Sequence, residues 1–294
     1  MIFPLWAGFG LLAALTSAAM MLLQERLKVD GFALAFWCKI MCVVVTLPMV
    51  IIHGVPHDPV FYYALGASAV LYAISDVVFF RAIPKVGAAV VSRLIPLAVI
   101  FGFILWFMID PALFMKYMRY PGVSGAILAV LLVWVWFATH LKKCTVSMGA
   151  IRQVWFVIFA ATLGAPLAKI TTNHAGIESG PYAYTCIQAL MMMTLWAVYY
   201  AVKKPVAPEV LFSRHSCIGG AIIGTVSVAS VLVAVLAYYH VDNPAYIPAV
   251  RYLDSTMILG FYALSGRKIE GNVWAGIGLV VCAAALIILK AQIH

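Results

Sequence analysis

The chain has 294 residues, of which 65% are hydrophobic and only 10% charged, and its formal net charge is +9. A soluble domain of this size carries about 25% charged residues, so the composition argues against a water-soluble globular fold. The positive charge does not point to nucleic acid either. The basic residues sit in short connectors between apolar runs, where anionic lipid headgroups are their natural counter-charge.

Apolar runs of bilayer-crossing length recur along the chain. In lipid every backbone N–H and C=O must be satisfied internally, which leaves helices or a closed barrel. The strict two-residue alternation of a barrel is absent, so helices are predicted. The first span is read over 2–23, followed by a charged turn at 24–30. It lacks a basic leader and is expected to stay as a span rather than be cleaved as a signal. The second span covers 31–52 and a Gly/Pro/Asp loop covers 53–59. The third and fourth cover 60–80 and 86–109, with the longest loop after them at 110–121. The fifth and sixth cover 122–141 and 148–172. The seventh covers 181–202, with Pro181 suited to a first helical turn. A polar connector at 203–213 leads to the eighth, ninth and tenth at 217–239, 244–265 and 273–290. Each run is long enough to cross a hydrocarbon core of about 30 Å. No loop is long enough to hold a soluble domain.

An internal repeat is visible. Arg93-Leu94-Ile95-Pro96-Leu97-Ala98-Val99-Ile100-Phe101-Gly102-Phe103 in the fourth span matches Arg251-Tyr252-Leu253-Asp254-Ser255-Thr256-Met257-Ile258-Leu259-Gly260-Phe261 in the ninth at its Arg, Ile, Gly and Phe. A weaker match joins Asp30-Gly31 to Ser179-Gly180 and sets Lys39 opposite Gln188. The expectation is an all-α integral membrane protein of two halves, 1–147 and 148–294, with five spans each. Five is odd, so the second half enters the bilayer in the opposite sense. Such inverted repeats build secondary transporters around a midplane site.

These segments resemble the drug/metabolite transporter superfamily in its ten-helix, two-EamA-repeat form. The resemblance rests on Phe80-Arg81-Ala82, on Arg93-Leu94-Ile95-Pro96, and on the stretch from Ala249 through Gly266 to Gly276-Ile277-Gly278. It implies a basket of helices around a central cavity, alternating access, and export or uptake of small metabolites. Two departures stand out. The fourth span ends Met108-Ile109-Asp110-Pro111 where an acidic residue often follows in such proteins, and the first span lacks the membrane-embedded Glu of the four-helix multidrug relatives.

Ionisable residues inside spans are costly and are functional hypotheses by default. Six qualify: Lys39, Asp76, Arg93, Lys169, Arg251 and Asp254. At about 1.5 Å of rise per residue, Lys39 lies roughly 12 Å deep, and Arg93 and Arg251 roughly 10 Å deep from opposite faces. The expected substrate-binding set is Lys39, Arg93, Lys169, Gln188, Arg251 and Tyr252. For Lys39 and Lys169 the competing reading is a long stem that snorkels to the headgroups. For Arg251 and Asp254 it is a self-neutralising pair three residues apart. Asp254 leads as a proton-coupling carboxylate, with Asp76 second. Pro96 and Pro248, each about one turn from an arginine, are candidate gating bends, because proline removes a helical hydrogen bond.

His53, His57 and Asp58 share a loop without the further ligands a metal site needs, so no metal and no cofactor are expected. The six cysteines form no C-x-x-C pair, and Cys38 and Cys42, one helical turn apart, are read as packing. No G-x-x-x-x-G-K-[ST] loop and no catalytic triad stand out, which disfavours an ATP-driven pump or an enzyme. The resulting expectation is a multi-pass inner-membrane transporter of a small anionic or zwitterionic metabolite, monomeric or homodimeric. Its partners are the small-molecule substrate and the lipid bilayer. The alternative is a flippase for a lipid-linked headgroup. Loop charges favour termini outside, because Arg26, Lys28, Arg81, Lys85, Lys142, Lys143, Lys203, Lys204, Arg214, Arg267 and Lys268 fall on one face, against chiefly Lys116, Arg119 and Lys290 on the other. The family resemblance favours termini inside.

Overall fold

The computed structural model describes residues 4–86, 96–141, 148–266 and 271–293. The described elements are helical, and capping chemistry sets many of their ends. Helix α1 (Leu5–Leu27) stops at Lys28, whose left-handed φ of 53° lets its N–H reach the Gln24 carbonyl. Helix α2 (Gly31–His53) starts at Asp30, which accepts from the Phe32 and Ala33 amides. Helix α3 (Pro59–Val86) follows, and α4 (Leu97–Ile109) comes after it.

The 110–121 stretch is not a plain loop. Asp110 accepts from the Leu113 amide, Pro111 occupies the first turn, and the short α5 (Pro111–Met118) forms at 105° to α4. Then come α6 (Pro121–His140), α7 (Met148–Asn173), α8 (Gly180–Lys203), the one-turn α9 (Pro208–Leu211) and α10 (Arg214–Tyr239). The predicted ninth span is divided in two. Helix α11 (Tyr246–Arg251) ends at the arginine that opens the repeat segment, and α12 (Asp254–Leu264) begins after two intervening residues. Helix α13 (Val273–Lys290) starts at Asn272, which accepts from Trp274 and Ala275.

Seven of these helices are each long and apolar enough to cross a membrane, or eight when the bent α4–α5 pair counts as one span. Their outward residues are apolar, as lipid requires: Val44, Val45, Leu47, Ile51 and Ile52 of α2 are all exposed. The chain is therefore a multi-pass, all-α membrane protein.

Helix α1 packs on α10, α3 on α7, α2 on both α8 and α10, and α6 on α13. Small residues make the α2–α10 approach close. A methyl at Gly220 would fall 2.4 Å from Trp37 Cβ, and one at Gly224 would fall 2.9 Å from Met41 Cβ and 3.2 Å from Cys38 Cα. The largest core cluster gathers Trp6, Phe103, Tyr117, Trp134, Tyr246 and Leu279. At one face Glu25 accepts from the Tyr262 hydroxyl, Trp37 donates to the Leu211 carbonyl, and the Asn272 amide donates to Leu141. At the other face Asp242 contacts both Lys290 (2.8 Å) and Lys116 (3.9 Å).

Candidate functional site

Helical spacing decides which way the deep charges point. Lys39 shares its side of α2 with buried Cys42 and Thr46, opposite the exposed Val44 and Ile51. It is half-buried and turned into the bundle, not toward lipid. Asp76 lies on the side of α3 that carries Leu65, Ala69, Tyr72 and Ala73, opposite exposed Tyr63, Val70 and Ile74. Lys39 is the cation acting on Asp76, across more than ion-pair distance.

Tyr72 precedes Asp76 by one turn. Its hydroxyl rests on α7 where Gly164 has no side chain, and a methyl there would come 1.8 Å from that oxygen. Tyr184, Tyr238, Arg251 and Asp76 are the groups that act electrostatically on Tyr72. Lys39, Tyr72, Asp76, Tyr238 and Arg251 all sit deep in the bundle yet keep accessible surface.

The break in the ninth span separates Arg251 from Asp254. Among the described residues no ion pair joins them. Asp254 is buried, and both its oxygens are taken: Ser17 of α1 donates to Oδ2 at 2.7 Å and Ser255 to Oδ1 at 3.2 Å. Arg251 donates to Ser230 of α10 at 3.4 Å, and Ser230 in turn donates to the Ala13 carbonyl. Gln188, buried in α8, donates to Ser68 at 2.9 Å and to the Tyr184 hydroxyl at 3.2 Å, tying α8 to α3.

Lys169 is also buried, and it takes a third course besides snorkelling and cavity lining. Its Nζ donates to the Tyr238 carbonyl at 2.8 Å, in the last turn of α10, where a cation also suits the helix dipole. Arg93 lies outside the described residues. Pro96 and Pro248 come together: both line a cavity of about 70 Å³ between α4, α7 and α11, with Val99, Gly102, Ala165 and Tyr252. The Tyr252 ring also meets Trp134 edge-on at 5.4 Å. None of the charged candidates lines this void.

Ser17, Ser68, Ser230 and Tyr238 are the partners of these groups that the sequence does not single out. Their one signal was a hydroxyl inside an apolar run. At the span ends His53 stacks on Tyr182 at 5.5 Å, and in the adjoining connectors His174 donates to Asp58 at 2.7 Å. That hydrogen bond, and then the Val60 amide, hold the Asp58 carboxyl below the usual carboxylate range. Burial pushes the Asp242 carboxyl up. The hydrogen bond and charge of Lys290, with the charges of Lys116 and Lys169, outweigh that and leave it below the usual range. Among the described residues, no three His, Cys, Asp or Glu side chains gather as metal ligands would.

No family model matches the chain, and neither does any curated protein. A solved crystal structure of a protein is similar in fold over 98% of this chain and 97% of its own, with a TM-score of 0.67 at 13% identity.

Proposed function

We propose that this chain is a secondary transporter that moves a small anionic or zwitterionic metabolite across the inner membrane by alternating access. The observation that carries the reading is the set Lys39, Asp76 and Arg251. These are charges kept inside a lipid-embedded bundle, turned inward with accessible surface, and not neutralised by contact with one another.

The packing supports ten spans in two inverted halves, as the resemblance to the drug/metabolite transporters implies. The α1–α10 contact has its counterpart in α7–α3, and the α4–α7 contact in α11 and α12 against α1. The α2–α8 and α6–α13 contacts pair equivalent spans of the two halves. The halves differ where the repeat is strongest: Phe103 is 4% exposed, but its counterpart Phe261 is 46% exposed. Such an asymmetry fits a transporter sealed at one face and open at the other. Asp254 and Asp76 remain the carboxylates proposed for proton coupling, and neither ATP nor a covalent step is part of this reading.

Purified protein screened by thermal shift against amino acids, organic acids, nucleotides and lipid headgroups tests it. The expected result is stabilisation by a soluble solute that Arg251→Ala removes. Stabilisation only by lipid headgroups favours the alternative, a flippase. One feature supports that alternative: an apolar groove of about 290 Å³ between α12 and α13, lined by Thr256, Leu259, Gly260, Val273, Ile277 and Val281.

A further inference from the structure

A helix end that turns left-handed ordinarily carries glycine, which has no Cβ to strain. Among the described residues two non-glycine residues have positive φ, and both are lysines. Lys28 (φ 53°) closes α1 and Lys204 (φ 42°) closes α8. They fall at one corner of the bundle. Val29, next to Lys28, packs in a cluster with Ala33 of α2, Tyr200 of α8, Val206 of the connector and Leu211 of α9. A methyl at Gly219 of α10 would come 2.6 Å from Val29, so the start of α10 lies against the same turn. Trp37 donates to the Leu211 carbonyl at 2.9 Å, and Ser216 donates to the Val210 carbonyl at 2.7 Å, which fixes α9 between α2 and α10.

This packing gathers cations from three segments. Lys28 comes from the α1–α2 turn, Lys203 and Lys204 from the end of α8, and Arg214 from the start of α10. All four are exposed, and among the described residues none is in an ion pair. Acidic residues are fewer here. Glu25 accepts from the Tyr262 hydroxyl and Asp30 caps α2, which leaves Glu209 of α9. Beside the cations Val202 and Phe212 are 72% and 60% exposed, and Trp37 meets Phe212 edge-on at 6.4 Å. Cations next to exposed apolar and aromatic groups at span ends make a surface suited to lipid headgroup level. At the base of the corner Gln24 Nε2 donates to the Val29 carbonyl. Gln24 Oε1 and the Tyr200 hydroxyl are buried there without a hydrogen-bond partner among the described residues. Such orphaned atoms mark a place where a polar ligand gains hydrogen bonds.

We propose that this corner is a binding site for an anionic phospholipid, with its phosphate held by Lys28, Lys203, Lys204 and Arg214 and its acyl chains lying against Val202 and Phe212. The strain that glycine would relieve at 28 and 204 is kept because the side chains are used. The site is separate from Arg251 and does not depend on the transporter reading.

Full-length protein, purified and delipidated in detergent, is titrated with dioleoyl phosphatidylglycerol and dioleoyl phosphatidylcholine. The two share chains and phosphate and differ in net charge. Inorganic phosphate is added as a competitor at matched ionic strength, and bound lipid is counted by native mass spectrometry. Phosphatidylglycerol should bind about tenfold or more tightly than phosphatidylcholine, and phosphate should not displace it. Lys204→Gly alone should weaken it about fivefold, the weight of one cation at a lipid surface. Combining Lys28→Gly, Lys203→Gln, Lys204→Gly and Arg214→Gln should bring it to the phosphatidylcholine level. Glycine suits the backbone at 28 and 204, so this variant keeps its fold. A second combination, Lys142→Gln, Lys143→Gln, Arg267→Gln and Lys268→Gln, removes four cations from other connectors and should leave binding unchanged. Equal binding of the two lipids overturns the proposal. So does an equal loss in both combinations, which would mean diffuse charge and no site. Displacement by phosphate would show an ion site and overturn the lipid. Binding that Arg251→Ala abolishes would place the headgroup in the interior, as a flippase requires, and overturn the corner.

Discussion

Ser17 and Asp254 meet across 2.7 Å, so the middle of α1 is tied to the start of α12 by a hydrogen bond to a buried carboxylate. Ser17→Ala leaves that oxygen without a donor. It should destabilise the protein by about 1.5–3 kcal/mol, since bonds to charged groups are among the stronger ones. Asp254→Asn, which can still accept from one hydroxyl, should cost less. Thermal unfolding in a fixed detergent compares the two, and a silent Ser17→Ala would show that this contact is not a tie.

Gly164→Ala should force Tyr72 out of its place, because the new methyl would come 1.8 Å from the hydroxyl oxygen and 2.6 Å from Cζ. Strain of this kind costs about 1–3 kcal/mol. The added Tyr72→Ala change should recover part of that stability and none of the solute affinity. Denaturation and binding measured on the same preparations separate the two effects.

The Tyr117 and Tyr246 hydroxyls lie 2.9 Å apart in the core at the face opposite the α1–α2 turn. Either single Phe substitution leaves one buried hydroxyl without its partner and should cost about 1–2 kcal/mol. The double substitution should cost clearly less than the two singles together, because the orphaned group is then gone. A double-mutant cycle by thermal unfolding measures the coupling.

The Asp58–His174 contact gives a pH signature. The Asp58 carboxyl is held below its usual range in the folded protein, first by the His174 hydrogen bond and then by the Val60 amide. Its contribution to stability is therefore full above the unfolded value of about 3.9 and is lost as pH falls through the lower folded value. The gap in melting temperature between wild type and Asp58→Asn should be constant from neutral pH down to that point and close below it. A gap that stays open in stronger acid contradicts the assignment.

Helix ends are legible where capping chemistry marks them. Asp30 and Asn272 stand just before the predicted 31–52 and 273–290 runs, which match α2 and α13 to within a residue. The inward face of Lys39 also follows from its spacing to Cys42 and Thr46. Other features have no such mark. The 110–121 stretch reads as a loop because α5 is short, although Asp110-Pro111 is a helix-start signal. The break at 252–253 carries neither glycine nor proline, and the proline of that run, Pro248, lies within α11. The acceptor for Lys169 is a backbone carbonyl of another helix, so only the tertiary register reveals it.

The near-contact of α2 and α10 at Gly220 and Gly224 has a mechanical result. Two backbones that close interlock like meshed teeth, and neither slides along the other without lifting off. In the proposed alternating-access cycle the seam would therefore serve as an axle for the rest of the bundle. Slack is found instead at the small void between α4, α7 and α11, where an alanine-rich wall faces two prolines and resists little. Pivoting concentrated there would swing Tyr252 and the Arg251 beside it as one lever while leaving the α2 wall that bears Lys39 at rest.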